Sequence, residues 1–437
     1  MKNIFLPIKN KKIGIIGAGT SGIHAAKLAN YFGAEVFLSD SNKINKFNIH
    51  GIEAEFGKHS DKILKSDFII KSPGVPQDIK IISKANDLKI PVFSEIEFAS
   101  WFTKTSIIGI TGTNGKTTTV ELINDILNKN GFKVLLGGNI GIPFSKNVLL
   151  ENKKKASYDF HLLEISSFQL EDIKYLKPNY SIIINIKPDH LDRYKSFTEY
   201  KKTKFKISLN LDANDTLIIN DLDTNDLKII SNAIIKKFKI NKDKVYVNNE
   251  SYNVNLDQNN LKGEHNLENI LVANILCSSL GIDQELINES IKKFTPLNHR
   301  IERVNTNSHA KFYNDSKATN LPATIAAIKY IKKNIILILG GIDKNNSEFA
   351  ILAKYVGKIK KIILYGDSRY DIKKSIKKYF DVLVYENFYS AVIESIKLSK
   401  KDDNVLLSPA CASYDQFKSY KHRGKKFKEI VNEYYDK

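Results

Sequence analysis

Short β-branched runs alternate with longer stretches in which apolar residues recur every three or four positions, and the alternation begins almost at once. Ile13–Ile16 reads as a strand, Ser21–Phe32 as an amphipathic helix stopped by Gly33, and Glu35–Ser39 as the next strand, a βαβ unit that implies parallel pairing. The series restarts with a strand at Ile107–Thr111, a turn, and a helix whose Val120, Ile123 and Leu127 share one face before Gly131 ends it. Further strands at His161–Glu164, Ser181–Asn185 and Thr216–Ile219 run into polar residues, as strands do where an open α/β sheet faces a ligand crevice. A third alternation places strands at Ile335–Leu339, Lys361–Tyr365, Val382–Tyr385 and Val405–Leu407, with amphipathic helices between them. The expectation is an α/β protein of three domains, 1–100, 101–298 and 299–437.

Length agrees, since 437 residues exceed one ordinary core. No apolar run approaches the length of a membrane helix, and the apolar stretch Ile4–Ile8 is too short for a secretory leader, so neither a span nor a signal peptide is expected. Cys277 and Cys411 lie far apart without metal-site spacing, which predicts buried free thiols and a cytoplasmic location. The formal charge of +19 favours anionic partners. Its lysines are spread along the whole chain and no nucleic-acid-binding motif accompanies them, so small phosphorylated ligands are expected and nucleic acid is not.

The sharpest chemical signal is Ile110-Thr111-Gly112-Thr113-Asn114-Gly115-Lys116-Thr117-Thr118, set between a strand and a helix. Glycines let such a turn aim backbone N–H groups at phosphate oxygens, and the helix adds its positive end. Lys116 would reach the β and γ phosphates of ATP, and the Thr117 hydroxyl would hold Mg²⁺. Ile110 stands where the first glycine of the usual loop belongs, so the loop is a variant. Glu164, at the end of a strand, and His190, in Lys187-Pro188-Asp189-His190-Leu191-Asp192-Arg193-Tyr194, are candidate metal supports.

Near the N-terminus, Gly17-Ala18-Gly19-Thr20-Ser21-Gly22 with Asp40 at the end of the next strand has the form of a dinucleotide fingerprint. Taken literally it predicts NAD. Only one mononucleotide half fits before the second series begins, which favours a nucleotide diphosphate joined to another group; a purely structural glycine turn is the third reading. A nicotinamide dehydrogenase would use this loop yet leave Lys116 without a task. A regulatory nucleotide-binding module without catalysis is the reading from another class.

Taken together the motifs resemble the Mur ligases over nearly the whole chain. They are the phosphate loop, Gly137-Gly138-Asn139-Ile140-Gly141, Glu164-Ile165-Ser166-Ser167-Phe168-Gln169-Leu170, Asp189-His190-Leu191-Asp192-Arg193-Tyr194, Gly263-Glu264-His265-Asn266 and His299-Arg300. The last part adds Asn314-Asp315-Ser316-Lys317-Ala318-Thr319-Asn320, Gly340-Gly341-Ile342-Asp343-Lys344 and Ser408-Pro409-Ala410-Cys411-Ala412-Ser413-Tyr414-Asp415-Gln416-Phe417. The resemblance implies an N-terminal Rossmann-like mononucleotide-binding domain, a central P-loop ATPase-like domain with a mostly parallel sheet, and a Rossmann-like C-terminal domain.

It further implies that ATP phosphorylates the alanyl carboxylate of UDP-N-acetylmuramoyl-L-alanine and that D-glutamate then forms the amide. ATP would be held by Gly112, Thr113, Asn114, Gly115, Lys116, Thr117, Thr118, Asn266, Asn269, Arg300 and Asp315. Two Mg²⁺ ions would be served by Thr117, Glu164, His190 and Lys204, the lysine as a carbamate. Gly19, Thr20, Asp40, Ser72, Gly74 and Asn139 match the UDP-substrate site, and Thr319, Lys344, Ser413 and Tyr420 the D-glutamate site. Lys116, Glu164, His190 and Lys204 are the expected catalytic set, in a monomer. Pro188 replaces a common acidic residue and Tyr420 a common phenylalanine. Another Mur ligase or a folylpolyglutamate synthase would share the phosphate loop and differ at 314–320 and 408–417.

Overall fold

The computed structural model describes residues 5–43, 49–191, 193–223, 232–241, 244–252, 264–294, 298–331, 333–343 and 347–436, with 264 and 265 through the backbone alone. The chain divides into two compact units. One comprises Met1–Ile186, Thr198–Leu256 and Glu268–Ile291; the other comprises Lys187–Phe197, Asp257–Leu267 and Lys292–Lys437.

The first unit carries two sheets. β1 (Lys12–Ile16), β2 (Glu35–Asp40), β3 (Ile52–Phe56), β4 (Phe68–Lys71) and β5 (Val92–Ser94) form a parallel sheet in the order β3-β2-β1-β4-β5. The order reverses between β1 and β4, the place where an open sheet of this kind presents a crevice. The second sheet contains β6 (Ser106–Thr111), β7 (Val134–Gly138), β8 (Phe160–Glu164), β9 (Tyr180–Ile183), β10 (Thr216–Asn220), β11 (Ile234–Asn241), β12 (Lys244–Val247) and β13 (Glu250–Ser251). Its order is β13-β12-β11-β10-β9-β6-β8-β7, parallel from β7 to β11 and antiparallel at its other edge.

The second unit holds β14 (Glu302–Val304), β15 (Lys311–Asn314), β16 (Ile335–Gly340), β17 (Ile359–Tyr365), β18 (Val382–Val384) and β19 (Asn404–Ala410), ordered β14-β15-β19-β16-β17-β18. Only β14 is antiparallel. Alternate residues of β16 feed opposite cores: Ile335, Leu337 and Leu339 pack with Ile328, Leu352 and Ile372, while Ile336 and Ile338 pack with Phe388, Val392 and Phe427. A strand covered by helices on both faces must be apolar throughout, which is why Ile335–Leu339 shows no polar alternation.

The structure shifts several expected boundaries by one to three residues. The strand expected at Ser181–Asn185 is observed as Tyr180–Ile183. Beyond it the Ile184 N–H donates to the Thr111 carbonyl and the Asn185 carbonyl accepts from Thr113, so the chain leaves the ladder to brace the phosphate loop. Both cysteines are buried and free, as expected. Among the described residues no helix is long and apolar enough to cross a membrane.

Candidate active site

The phosphate loop joins β6 to the helix Lys116–Lys129. Gly115 caps the helix with φ +87°, a left-handed conformation, and a Cβ there would lie 2.1 Å from Asn269 Oδ1. Two independent constraints thus demand glycine. Lys116 Nζ donates to the carbonyls of Gly112 at 2.7 Å and Thr113 at 2.9 Å. Lys204 Nζ donates to the same Gly112 carbonyl at 2.9 Å from the helix Phe197–Phe205. Lys204 is buried, its ammonium lying 4.8 Å from the Tyr200 ring centre, and the Tyr200 hydroxyl bonds Thr113 Oγ1 at 3.1 Å. Two ammonium groups converging on one carbonyl, beside a helix N-terminus, make a concentrated positive site suited to a polyanion.

Beside the ammoniums sits the second chemical pair. Thr117 Oγ1 donates to Glu164 Oε2 at 2.8 Å, and Asn139 Nδ2 donates to Glu164 Oε1 at 2.8 Å. Glu164 is the buried last residue of β8, and Asn139 follows β7, its neighbour in the sheet. Among the described residues no group of three or more His, Cys, Asp or Glu side chains is placed to hold a metal by itself. A hydroxyl and one carboxylate nevertheless fit Mg²⁺, which completes its shell with water and phosphate oxygens.

At the first sheet, Gly19 caps the helix Thr20–Tyr31, and both Gly19 and Thr20 are exposed. Asp40, closing β2, accepts from the Ala18 N–H at 2.6 Å and from Asn42 N at 2.8 Å, so the acid shapes the glycine loop itself. Ser72 Oγ donates to the Gly17 carbonyl at 3.0 Å. A Cβ at Gly22 would lie 1.8 Å from that carbonyl, which explains the third glycine. Open space surrounds Gly19 and Gly74. The structure therefore brings Gly19, Thr20, Asp40, Ser72 and Gly74 to one sheet edge, around a loop with room for a ligand. Lys71, buried at the end of β4, fixes this edge by contacting the Val75 carbonyl, Glu171 and Asp172 at 3.1 to 3.2 Å.

In the second unit Asp315 and Thr319 follow the carboxyl end of β15, and Ser413 follows that of β19. Arg300 lies between His299 at φ +67° and Ile301 at φ +46°, a conformation that is costly for a β-branched residue. Asp315 braces that turn, accepting from Ile301 N at 3.2 Å and from Ser408 Oγ at 2.7 Å. Burial pushes the Asp315 carboxyl up to about 7, against the opposing pull of the Ser408 hydroxyl, Arg300 and the Ile301 N–H. Thr319 is exposed ahead of the helix Leu321–Ile331, Ser413 is buried after β19, and Tyr420 is half-buried, opening the helix Tyr420–Tyr435. His190, at φ +54°, is adjacent to Asp189, whose carboxylate accepts from Asn320 Nδ2 at 3.1 Å. Lys344 and Asp192 lie outside the described residues. Asn266 and Asn269 sit on the helix Glu264–Ser279, and Asn269 Oδ1 accepts from Thr119 Oγ1 at 3.1 Å.

Sequence reasoning missed several residues that hold these groups. Asn185 appeared only as the polar end of a strand, and Tyr200 and Glu268 not at all. Arg423, fully buried, donates to the Ser316 hydroxyl and carbonyl, the Tyr365 hydroxyl and the Cys411 carbonyl, all within 3.2 Å. Its only advance signal was an arginine among the lysines of an amphipathic helix.

A phosphate loop at the carboxyl end of an interior strand of a parallel sheet, with a threonine-carboxylate pair beside it and further α/β sheets in the same chain, defines a nucleotide-binding α/β enzyme of the P-loop class. The family model of the Mur ligase middle domain matches residues 110–277, and that of the Mur ligase glutamate ligase domain matches 299–411. The chain belongs to the Mur ligase family, whose members catalyse ATP-dependent peptide ligation in peptidoglycan synthesis. It is 37% identical to the UDP-N-acetylmuramoylalanine--D-glutamate ligase of Thermoanaerobacter pseudethanolicus, covering 98% of this chain and 99% of that one. It is 39% identical to the protein of the same name from Christiangramia forsetii, over 96% and 99% of the two chains. The MurF ligase of Thermotoga maritima, solved with ADP, shares the fold at a TM-score of 0.62 and 13% identity, over 98% of this chain and 96% of that one.

Proposed function

We propose that the protein joins D-glutamate to UDP-N-acetylmuramoyl-L-alanine, converting ATP to ADP and phosphate through an acyl phosphate. The observation that carries this reading is the convergence of Lys116 and Lys204 on the Gly112 carbonyl beside the Thr117–Glu164 pair. A carboxylate is a poor electrophile until it carries a leaving group, and bringing two anions together requires concentrated positive charge. Lys116 and the helix N-terminus hold the terminal phosphates while a carboxylate oxygen of the acceptor attacks the γ phosphorus and ADP leaves. The amine nitrogen of D-glutamate then attacks the acyl carbon, phosphate departs with the C–O bonding electrons, and the nitrogen loses a proton to give the amide.

Thr117 and Glu164 are the proposed holders of one Mg²⁺ and His190 of a second; bound there, the ions would neutralise charge on the transferring phosphoryl group. Lys204 is the proposed carbamate. That group carries two acceptor oxygens and a single N–H, so its formation leaves Nζ able to keep at most one of the bonds it donates to the Gly112 carbonyl and Thr111 Oγ1. The edge carrying Gly19, Thr20, Asp40, Ser72 and Gly74 is assigned to the UDP group, and Asn139 to the acceptor. In the second unit Arg300 and Asp315 are assigned to ATP, and Thr319, Lys344, Ser413 and Tyr420 to D-glutamate. The functional domains are proposed as 1–100, 101–298 and 299–437, in a cytoplasmic monomer.

Phosphate release from ATP, Mg²⁺ and UDP-N-acetylmuramoyl-L-alanine tests the reading when D-glutamate, L-lysine or L-alanine is supplied in turn. Only D-glutamate should support turnover, and EDTA should abolish it. Turnover with L-lysine or L-alanine in place of D-glutamate would assign the protein to a different step.

A further inference from the structure

Two N–H groups of the phosphate loop are already committed. The Thr113 N–H donates to the Asn185 carbonyl at 2.8 Å, and the Asn114 N–H donates to Asn185 Oδ1 at 3.0 Å. Asn185 therefore sets the curvature of the loop that leads to the helix N-terminus. It can do so in only one orientation, because an inverted amide would point its NH₂ at the Asn114 N–H, donor against donor.

Glu268 fixes that orientation. Its Oε2 accepts from Asn185 Nδ2 at 2.6 Å, and a carboxylate, which only accepts, cannot face the amide oxygen. Its Oε1 accepts from Asn220 Nδ2 at 3.3 Å. Asn220 is itself held, its Oδ1 accepting from Leu222 N at 3.1 Å. Asn185 and Asn220 lie at the carboxyl ends of the neighbouring strands β9 and β10, and both are buried. One carboxylate thus locks two buried amides behind the loop.

We infer that Glu268 is a positioning residue for ATP, acting through Asn185 to hold the loop in its phosphate-receiving shape without touching the nucleotide. The inference rests on the assignment of ATP to this loop. It predicts a defect in nucleotide affinity distinct from the chemical defect expected on losing Lys116. Glutamine can still offer an oxygen to Asn185 Nδ2, whereas alanine leaves the amide free to invert.

The test measures ATP affinity by calorimetry and the KM for ATP in Glu268→Ala, Glu268→Gln and Lys116→Ala, together with UDP-substrate affinity and thermal stability. Glu268→Ala should bind ATP about tenfold more weakly, the worth of one charge-assisted hydrogen bond, with kcat within about twofold. Glu268→Gln should recover most of the loss, and UDP-substrate affinity should be unchanged in both. If Glu268→Ala does not fold, Asn185→Ser takes its place, with the same expected loss of ATP affinity. Wild-type ATP affinity in Glu268→Ala or its substitute, with Lys116→Ala impaired, would overturn the positioning role and leave the loop assignment standing. Wild-type ATP affinity together with wild-type kcat in Lys116→Ala would overturn the loop assignment, and the inference with it.

Discussion

At the residue scale, the phosphate loop is defined by positions where one side chain alone is tolerated. Gly115→Ala would place a Cβ against Asn269 and hold alanine at φ +87°. We predict a loss of about 1–3 kcal/mol from the strained backbone, with ATP binding abolished, read by thermal unfolding and calorimetry. Lys116→Ala should lower kcat by at least about a hundredfold, the usual effect of deleting a donor to a charge-developing oxygen, while UDP-substrate binding is retained. Equal turnover in this variant would end its catalytic assignment. Glu95 offers a separate test. It is fully buried where the helices Glu95–Ser100 and Phe144–Lys154 meet, bonded to the Ser145 N–H at 2.6 Å, and its Oε2 has no partner among the described residues. Burial, opposed by Ser145, raises its carboxyl from 4.5 to about 6. The folded protein therefore retains a proton there that the unfolded chain has released, and this contribution, complete below pH 4.5, is lost as pH rises through 6. Relative to wild type, Glu95→Gln should gain about 2 kcal/mol of stability between pH 4.5 and 7.5. A difference that is flat with pH, measured by denaturant unfolding, would contradict the assignment.

At the element scale, buried side chains link loops that lie far apart in sequence. Arg423 joins the turn after β15 to the turn after β19 and to the end of β17, the region assigned to D-glutamate. Arg423→Met should cost about 3 kcal/mol or more, because the buried Ser316 and Cys411 carbonyls each lose a donor worth about 1–3 kcal/mol, and it should raise the KM for D-glutamate. Unchanged thermal stability and KM would show that neither turn depends on the arginine. This linkage marks where sequence reading stops. The strands ending at Thr111, Glu164 and Tyr365 were legible because buried parallel strands are continuous apolar runs. β3 and β11 were missed because Ile52–Phe56 and Ile234–Asn241 carry charged residues on solvent-facing sides, which breaks the apolar run. Arg423 and Glu268 were illegible for another reason: each draws its role from partners distant in sequence, and spacing reports only near neighbours. Asn185 was half legible, since a polar strand end was evident but its use on the loop was not.

At the scale of the whole molecule, the chain belongs to a family that performs ATP-dependent peptide ligation, and Asp40, Gly112, Glu164 and Asp315 lie at or directly after strand ends. The formal charge of +19 says little by itself, because its lysines are dispersed. What sets Lys204 and Lys116 apart is their convergence on the Gly112 carbonyl, with Lys204 buried, and sequence does not display this. Oxygen tracing tests the central claim, activation of a carboxylate by phosphoryl transfer, most directly. The acceptor is prepared with ¹⁸O in its alanyl carboxylate and turned over with unlabelled ATP and D-glutamate. The account predicts that an ¹⁸O atom from the carboxylate appears in the released phosphate, because the oxygen that attacked phosphorus leaves with it. Phosphate free of label, alongside normal formation of the D-glutamyl amide, would contradict an acyl phosphate and with it the task assigned to Lys116.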